Sequence, residues 1–256
     1  MKKWLKLLAD VLLPRVCVVC GRKLNATEKN LCLYCMAELP QTFFWERRHN
    51  AMADKFNSLI ERDLDGGLSG GGLERYAYAV ALFFYDGSGD YRKITQRLKY
   101  HADLGLGRDF GRMLAYRIED ARHFEDVDVI IPVPLHWTRR WKRGYNQAEV
   151  IAGAMADQLG VDLRIDILRR SRRTRTQTKV DPARKSENVK GAFVVNESSL
   201  GLSQKLVGEA GYRHILLVDD VFTSGSTLHN CFLALRSVFP PDVRISVATL
   251  GFVGGA

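Results

Sequence analysis

The period of apolar and polar positions changes several times along the chain, and each change marks an element. At the amino end, Trp4, Leu5, Leu8, Val11 and Leu12 fall on one face of a short helix that Pro14 ends. It is expected to dock on the protein, with a membrane-surface role as the alternative. From Arg75 the pattern alternates. YAYAVALFFY reads as a strand, and DYRKITQRLKY as a helix with Ile94 and Leu98 four apart. GRDFGRMLAYRIEDA is helical, with Phe110, Met113, Leu114 and Ile118 on one face. VDVIIPVPL is an apolar strand running into prolines, and GYNQAEVIAGAMADQLG is a helix that Gly160 suits as an end. HILLVDD is a strand, TLHNCFLALRSVF a helix and VRISVATLGF a strand.

Strands alternating with helices predict an α/β domain with a mainly parallel sheet and flanking helices. Ligands of such sheets sit at the carboxyl ends of the strands. The stretch from Asp65 to Gly72 holds five glycines close together and reads as a linker. It predicts two units with a boundary near Leu73. Residues 1–72 hold the amino-terminal helix, a cysteine module and the linker, and residues 73–256 hold the α/β domain.

Composition adds bounds. The chain has 256 residues, 46% of them hydrophobic, enough for one sizeable core or a core with a small appendage. Thirty-eight basic against 29 acidic residues give a net charge of +9. That balance favours phosphate-bearing partners, such as nucleic acid, nucleotides or pyrophosphate, without choosing among them. No run approaches the roughly 18 apolar residues of a membrane span. MKKWLKLLADVLLP resembles a signal peptide only superficially: Lys6 and Asp10 interrupt it, and no small-residue cleavage site follows. A cytoplasmic location is expected.

Four of the five cysteines lie within nineteen residues as CVVC (Cys17, Cys20) and CLYC (Cys32, Cys35), spaced C-x2-C-x11-C-x2-C. Two such knuckles give four thiolates to one tetrahedral Zn2+, a closed site that holds structure and does not activate water. Disulfides are the alternative in a secreted chain. Cys231 stands at helical spacing with Leu228 and Leu235 and is expected to pack in the core.

The most informative stretch is LLVDDVFTSGSTLHN. Asp219 and Asp220 end a greasy strand, and Thr223-Ser224-Gly225-Ser226-Thr227 then opens a helix. A glycine-centred turn at a helix amino end is a phosphate cradle. It lacks the lysine of the nucleoside-triphosphate loop. Two carboxylates would repel a polyphosphate placed directly on them, but they suit a sugar diol. A ribose 5-phosphate group fits both halves.

VDDVFTSGST resembles the phosphoribosyl-pyrophosphate signature of type I phosphoribosyltransferases. With CVVC…CLYC, LKY (Leu98 to Tyr100), IPVPLH (Ile131 to His136), RGYNQAE (Arg143 to Glu149) and RTQTKVDPARKSENVKGAF, the chain is similar to the ComF competence family. That family joins a zinc ribbon to a phosphoribosyltransferase domain. The resemblance implies that Asp219 and Asp220 hold the ribose hydroxyls, directly or through Mg2+, as the catalytic pair. It implies that Thr223, Ser224, Gly225, Ser226 and Thr227 bind the 5-phosphate. Pro134, Leu135 and His136 would form the pyrophosphate loop, with Arg143 and Lys99 adding charge.

Two basic segments remain. LRRSRRTRTQTKVDPARKSENVK carries nine Lys or Arg between Arg169 and Lys190, with Gln177, Arg184 and Asn188 matching polar positions of the family pattern. It reads as a mobile loop over the substrate, a nucleic-acid contact, or a solvated charged loop. WTRRWKRGYNQ sets Arg139, Arg140, Lys142 and Arg143 beside Trp137, Trp141 and Tyr145, which suits single-strand stacking or core packing. No HExxH and no Ser-His-Asp arrangement is visible. Two functions stand side by side. One is a phosphoribosyltransferase acting in DNA uptake on an unnamed acceptor. The other is a non-catalytic sensor of the same ligand that binds single-stranded DNA beside competence or recombination proteins. A scaffold held by zinc alone has no need of the diol-and-phosphate stretch.

Overall fold

Residues 215–218 are Ile, Leu, Leu and Val, and all four are fully buried. Successive strand residues face opposite sides, so such a run needs a sheet covered on both faces, and that is its setting here. The computed structural model describes residues 15–63, 75–85, 89–170, 192–196, 198–199 and 211–254. The expected amino-terminal helix, the glycine linker, the boundary near Leu73 and the basic segment from Ser171 to Lys190 lie outside the described residues.

The strands are β1 (Ala79–Phe84), β2 (Val129–Pro132), β3 (Asp162–Leu163), β4 (Leu168–Arg170), β5 (Phe193–Val195), β6 (His214–Phe222) and β7 (Arg244–Phe252). The helices are α1 (Leu33–Ala37), α2 (Ala51–Asp63), α3 (Arg92–Tyr100), α4 (Leu104–Glu119), α5 (Trp137–Arg143), α6 (Gln147–Leu159) and α7 (Ser226–Arg236). Five strands form one sheet in the order β1-β7-β6-β2-β3, with every pairing parallel. The expected α/β class with a parallel sheet and flanking helices is what the chain adopts. Helix α4 packs on α6, and α2 packs on α7. At Gly111 the first pair comes so close that an added Cβ would stand 2.8 Å from the Ile151 carbonyl oxygen.

One expectation is corrected. β6 does not end at Asp219 and Asp220 but runs to Phe222, because β7 is equally long and pairs Val221 with Gly251 and Phe222 with Phe252. On its other side the β2 pairing stops at Pro132 and Val218. The aspartates thus stand on a ragged edge, paired toward β7 and open toward β2.

The sequence reading also assigned no element to α2 and α5, although α2 carries Met52, Phe56 and Ile60 four apart, all buried. Asn57 donates to and accepts from the Ala77 backbone, and Asn50 donates to the Ala79 carbonyl at 3.0 Å, which seats α2 on the sheet. The chain before it covers the edge of β1: Phe84 N–H donates to the Pro40 carbonyl, and Thr42 N–H to that of Leu82. An edge strand so covered is not a template for pairing with another chain. One continuous buried cluster runs from Cys17, Leu24 and Leu31 through Trp45 and Phe56 to the sheet, and Cys231 sits fully buried in it.

Candidate functional site

From β2 the chain moves outward through α5 and α6 to β3, whereas from β6 it moves the other way through α7 to β7. The crevice between the carboxyl ends of β2 and β6 is therefore the topological switch point, the usual ligand seat of an open parallel sheet. A cleft of about 270 Å³ lies there. Its walls include Asp219, Asp220 and Thr227 from the β6 side, and Pro134, Leu135, Arg139 and Arg143 from the β2 side. Lys99, Tyr100, Asn146, Gln147 and Arg170 complete the lining.

The charges are arranged by sign. Lys99 Nζ meets Asp220 Oδ2 at 2.9 Å. Burial pulls the ammonium down, but the Asp220 carboxylate, helped by Asp219, outweighs it and raises Lys99 above the usual lysine range. Burial and then the neighbouring Asp220 charge push Asp219 up to about 7. The Asp220 N–H donates back to Asp219 Oδ1 at 2.8 Å. Burial and the nearby Arg139 guanidinium lower Arg170, which stays cationic because arginine cannot lose its proton at ordinary pH. Two carboxylates thus face four cationic side chains across one opening.

The hydroxyl-rich turn folds as its residues require. Gly225 has φ +80°, and a Cβ there would stand 2.6 Å from Phe222 Cζ and 2.9 Å from Leu59 Cδ1. Thr223 and Ser224 are exposed, and Ser224 Oγ and Ser226 Oγ share a hydrogen bond of 2.9 Å. Lys55 of α2 donates to the Thr223 carbonyl at 2.8 Å. Of the five turn residues, Thr227 lines the cleft. His136 does not: it is buried, and its Nδ1 accepts from the Thr138 N–H at the start of α5. Beside the cleft is a second recess of about 410 Å³, lined by Lys99, Tyr100, Arg139, Lys142, Arg143 and Tyr145 among others. Arg143 lies over the Tyr100 ring at 5.5 Å.

The four thiols of Cys17, Cys20, Cys32 and Cys35 lie within 4.8 Å of one another. The Cys20 and Cys32 sulfurs are 3.7 Å apart, and no disulfide links any of the five cysteines. Four sulfurs at about 2.3 Å around a tetrahedral zinc would be about 3.8 Å apart, so the donor set fits that ion. Burial raises the Cys17 thiol, but N–H donors of Cys20, Cys32 and Val19 prevail and hold it at about 7. Burial and then the other thiols push Cys35 well above the usual range.

No family model matches the chain. It is 32% identical over 155 residues to competence protein F of Haemophilus influenzae, covering 59% of this chain and 64% of that protein. By this match the chain is similar to a competence protein. It is also 29% identical over 138 residues to DNA utilization protein YhgH of Salmonella typhi, covering 53% and 56% of the two chains. YhgH of Escherichia coli K12 gives 28% with the same shares. The chain spans less than two thirds of the length of the relatives it matches.

Several residues at the cleft escaped the pattern of the sequence. Arg139 and Arg170 were legible only as members of basic runs. Asn146 and Gln147 were legible only as letters of RGYNQAE. The residues on either side of the basic segment are antiparallel partners in β4 and β5, which brings Arg170 to the cleft. A Ser-His-Asp order also exists, contrary to expectation, at the opposite end of the sheet. His214 Nδ1 meets Asp126 Oδ1 at 2.6 Å, and its Nε2 meets Ser246 Oγ at 2.7 Å. Ser246 is fully buried and already accepts from the Tyr78 N–H, so this trio holds the sheet together and offers no nucleophile. Its members are 88 and 32 residues apart in sequence, which no local motif reveals. No helix among the described residues is long and apolar enough to cross a membrane.

Proposed function

We propose that the cleft binds phosphoribosyl pyrophosphate and that the protein transfers its phosphoribosyl group within DNA uptake or use. The observation that carries this reading is the pairing of carboxylates with cations at the switch point: Asp219 and Asp220 facing Lys99, Arg139, Arg143 and Arg170. Asp219 and Asp220 bind the ribose hydroxyls. The turn Thr223, Ser224, Gly225, Ser226 and Thr227 takes the 5-phosphate at the start of α7. Pro134, Leu135 and the arginines take the pyrophosphate, and His136 shapes that loop from beneath. In transfer, the bond from C1 to the pyrophosphate oxygen breaks with its electrons leaving on pyrophosphate, and a lone pair of the acceptor closes on C1. The fixed cations stabilise the charge that develops on the leaving group. Mg2+ fits the carboxylate pair, in which burial and then the Asp220 charge push Asp219 up to about 7, and when bound it would neutralise part of the pyrophosphate. Zn2+ in the cysteine cluster is structural. The chain works as a zinc-bearing unit, residues 1–72, and a ligand-binding unit, residues 73–256, in the cytoplasm.

The role in DNA uptake is supported by the names of the relatives, competence protein F and DNA utilization protein. Isothermal titration of the metal-loaded protein with phosphoribosyl pyrophosphate and Mg2+ tests the cleft. Micromolar binding that Asp219→Asn/Asp220→Asn loses is expected. A folded wild type that binds nothing ends the proposal.

One observation favours an added, non-catalytic role in holding single-stranded DNA. Trp137 and Trp141 are 69% and 88% exposed, four residues apart on α5, among Arg139, Arg140, Lys142 and Arg143. Core packing of these two rings is thereby ruled out, and exposed rings among cations suit stacked bases. Affinity for an oligonucleotide that falls steeply with salt, and falls again in Trp137→Ala/Trp141→Ala, is the expected result.

A further inference from the structure

The start of α6 contains a polar group that the fold itself does not use. Asn146 caps the helix by accepting from the Ala148 N–H at 3.2 Å, and its Nδ2 donates to the Val133 carbonyl at 3.0 Å. The cap is thus bonded to the loop that follows β2. Gln147 comes next. It is 3% exposed, it lines the cleft, and its Nε2 has no hydrogen-bond partner among the described residues. Buried side-chain amides are nearly always satisfied, because an orphaned donor loses its hydration and gains nothing in return. A methionine fills a similar volume and carries no donor to satisfy.

The surroundings say what the donor is for. Gln147 stands on the β2 side of the cleft with Pro134, Leu135, Arg139 and Arg143, across from the carboxylates. An amide N–H cannot accept, so its ligand must bring an acceptor oxygen. The neighbouring arginines require that oxygen to be anionic. A cationic wall attracts any anion, whereas a fixed amide selects one orientation.

We propose that Gln147 donates from Nε2 to a pyrophosphate oxygen of the bound ligand and sets the register of the leaving group. This rests on the cleft being the phosphoribosyl pyrophosphate site. The test uses the full zinc-loaded chain, its Gln147→Met and Gln147→Glu variants, and two probes with Mg2+: inorganic pyrophosphate and ribose 5-phosphate. Dissociation constants come from titration calorimetry, and melting temperatures are measured without ligand. Gln147→Met is expected to weaken pyrophosphate about tenfold, the scale of one hydrogen bond to a charged acceptor. Ribose 5-phosphate should change less than twofold. The ligand-free Met variant should melt no lower than wild type, since the orphan donor is gone. Gln147→Glu should fold and lose pyrophosphate altogether.

Unchanged pyrophosphate binding in both variants, or equal loss of both probes, overturns the inference and leaves the donor site standing. So does a Met variant that melts lower while binding as before, because that makes Gln147 a packing residue. A folded wild type that binds neither probe removes the inference together with the reading beneath it.

Discussion

The cysteine cluster and the cleft solve opposite problems. The cluster draws four like groups from nineteen consecutive residues onto one point, where a single dication could satisfy them all. The cleft gathers unlike charges from segments as far apart as Lys99, Pro134, Arg170 and Asp220, and keeps them facing an opening. The first is a closed site whose chemistry is finished when the chain folds. The second, in the function proposed above, is finished only by a ligand. One helix joins them. At its start, Tyr91 donates to the Cys35 carbonyl at 2.9 Å and Lys93 to the Val19 carbonyl at 2.7 Å. At its end, Lys99 reaches Asp220.

The largest effect should come from breaking the closed site. A structural zinc contributes on the order of 10 kcal/mol to the folding of its module. Cys32→Ser, or a strong chelator, should therefore remove the metal and unfold residues around the knuckles, with a drop in melting temperature above about 10 °C. Metal analysis and differential scanning calorimetry check this. Because α3 carries both contacts, phosphoribosyl pyrophosphate affinity should fall as well, although the cleft holds none of the four cysteines. A Cys32→Ser protein that keeps full ligand affinity would show that α3 does not link the two sites.

Next comes the ion pair at the cleft. The Lys99 and Asp220 side chains are 26% and 11% exposed. Removing one partner of a fully buried pair costs about 3–5 kcal/mol, and this partly wet pair should cost roughly 1–3 kcal/mol. Lys99→Met should show that loss in urea unfolding. Asp219→Asn should instead leave stability equal or higher, because it relieves repulsion from Asp220 that no counter-ion offsets in full. The two variants therefore separate a paired carboxylate from a crowded one, although both should lose ligand.

How far the sequence foresaw these sites follows from the same contrast. The cluster was legible because its four cysteines are local and their spacing suits one tetrahedral ion, with disulfides left as the alternative. The sheet was legible because Ile215 to Val218 had to be buried on both faces. The carboxylates and the hydroxyl turn were legible because they are contiguous. Arg139, Arg170 and Gln147 were not, since periodicity cannot say which charged or amide group in a run turns inward. Helix α2 was missed for a related reason. Asn50 just before it and Asn57 within it look like loop residues until their bonds to the β1 strand segment are seen. The end of β6 was misplaced because two aspartates read as a stop, whereas the length of β7 decides where pairing ceases.

A smaller effect tests the phosphate turn alone. Gly225 has a backbone that side chains rarely adopt and no room for a Cβ. Gly225→Ala should cost about 1–2 kcal/mol and weaken ribose 5-phosphate, while metal content stays at that of wild type. Unaltered stability would mean that Phe222 and Leu59 yield freely, and that the turn is less rigid than the packing implies.

The smallest effect is a pair of opposing pH slopes from the two ends of the sheet. Asp219 is raised from an ordinary carboxylate value to about 7, so between about 4 and 7 the folded state holds more protons than the unfolded state. This contribution makes the protein less stable as pH rises through that window, and the penalty is complete above it. His214 is shifted the other way: burial lowers it, against the pull of Asp126, so the fold prefers neutral imidazole. Below the ordinary histidine value the unfolded state binds the extra proton, and stability falls as pH drops. The two terms partly cancel in the wild type just below the ordinary histidine value. Asp219→Asn should remove the first and leave a melting temperature that rises with pH over this range, whereas His214→Gln should leave one that falls. Melting curves from pH 4.5 to 8 read both. Parallel profiles for the two variants would mean that the carboxylate at the cleft is as fully compensated as the thiols of a metal-filled cluster, and the contrast between closed and open sites would lose its electrostatic half.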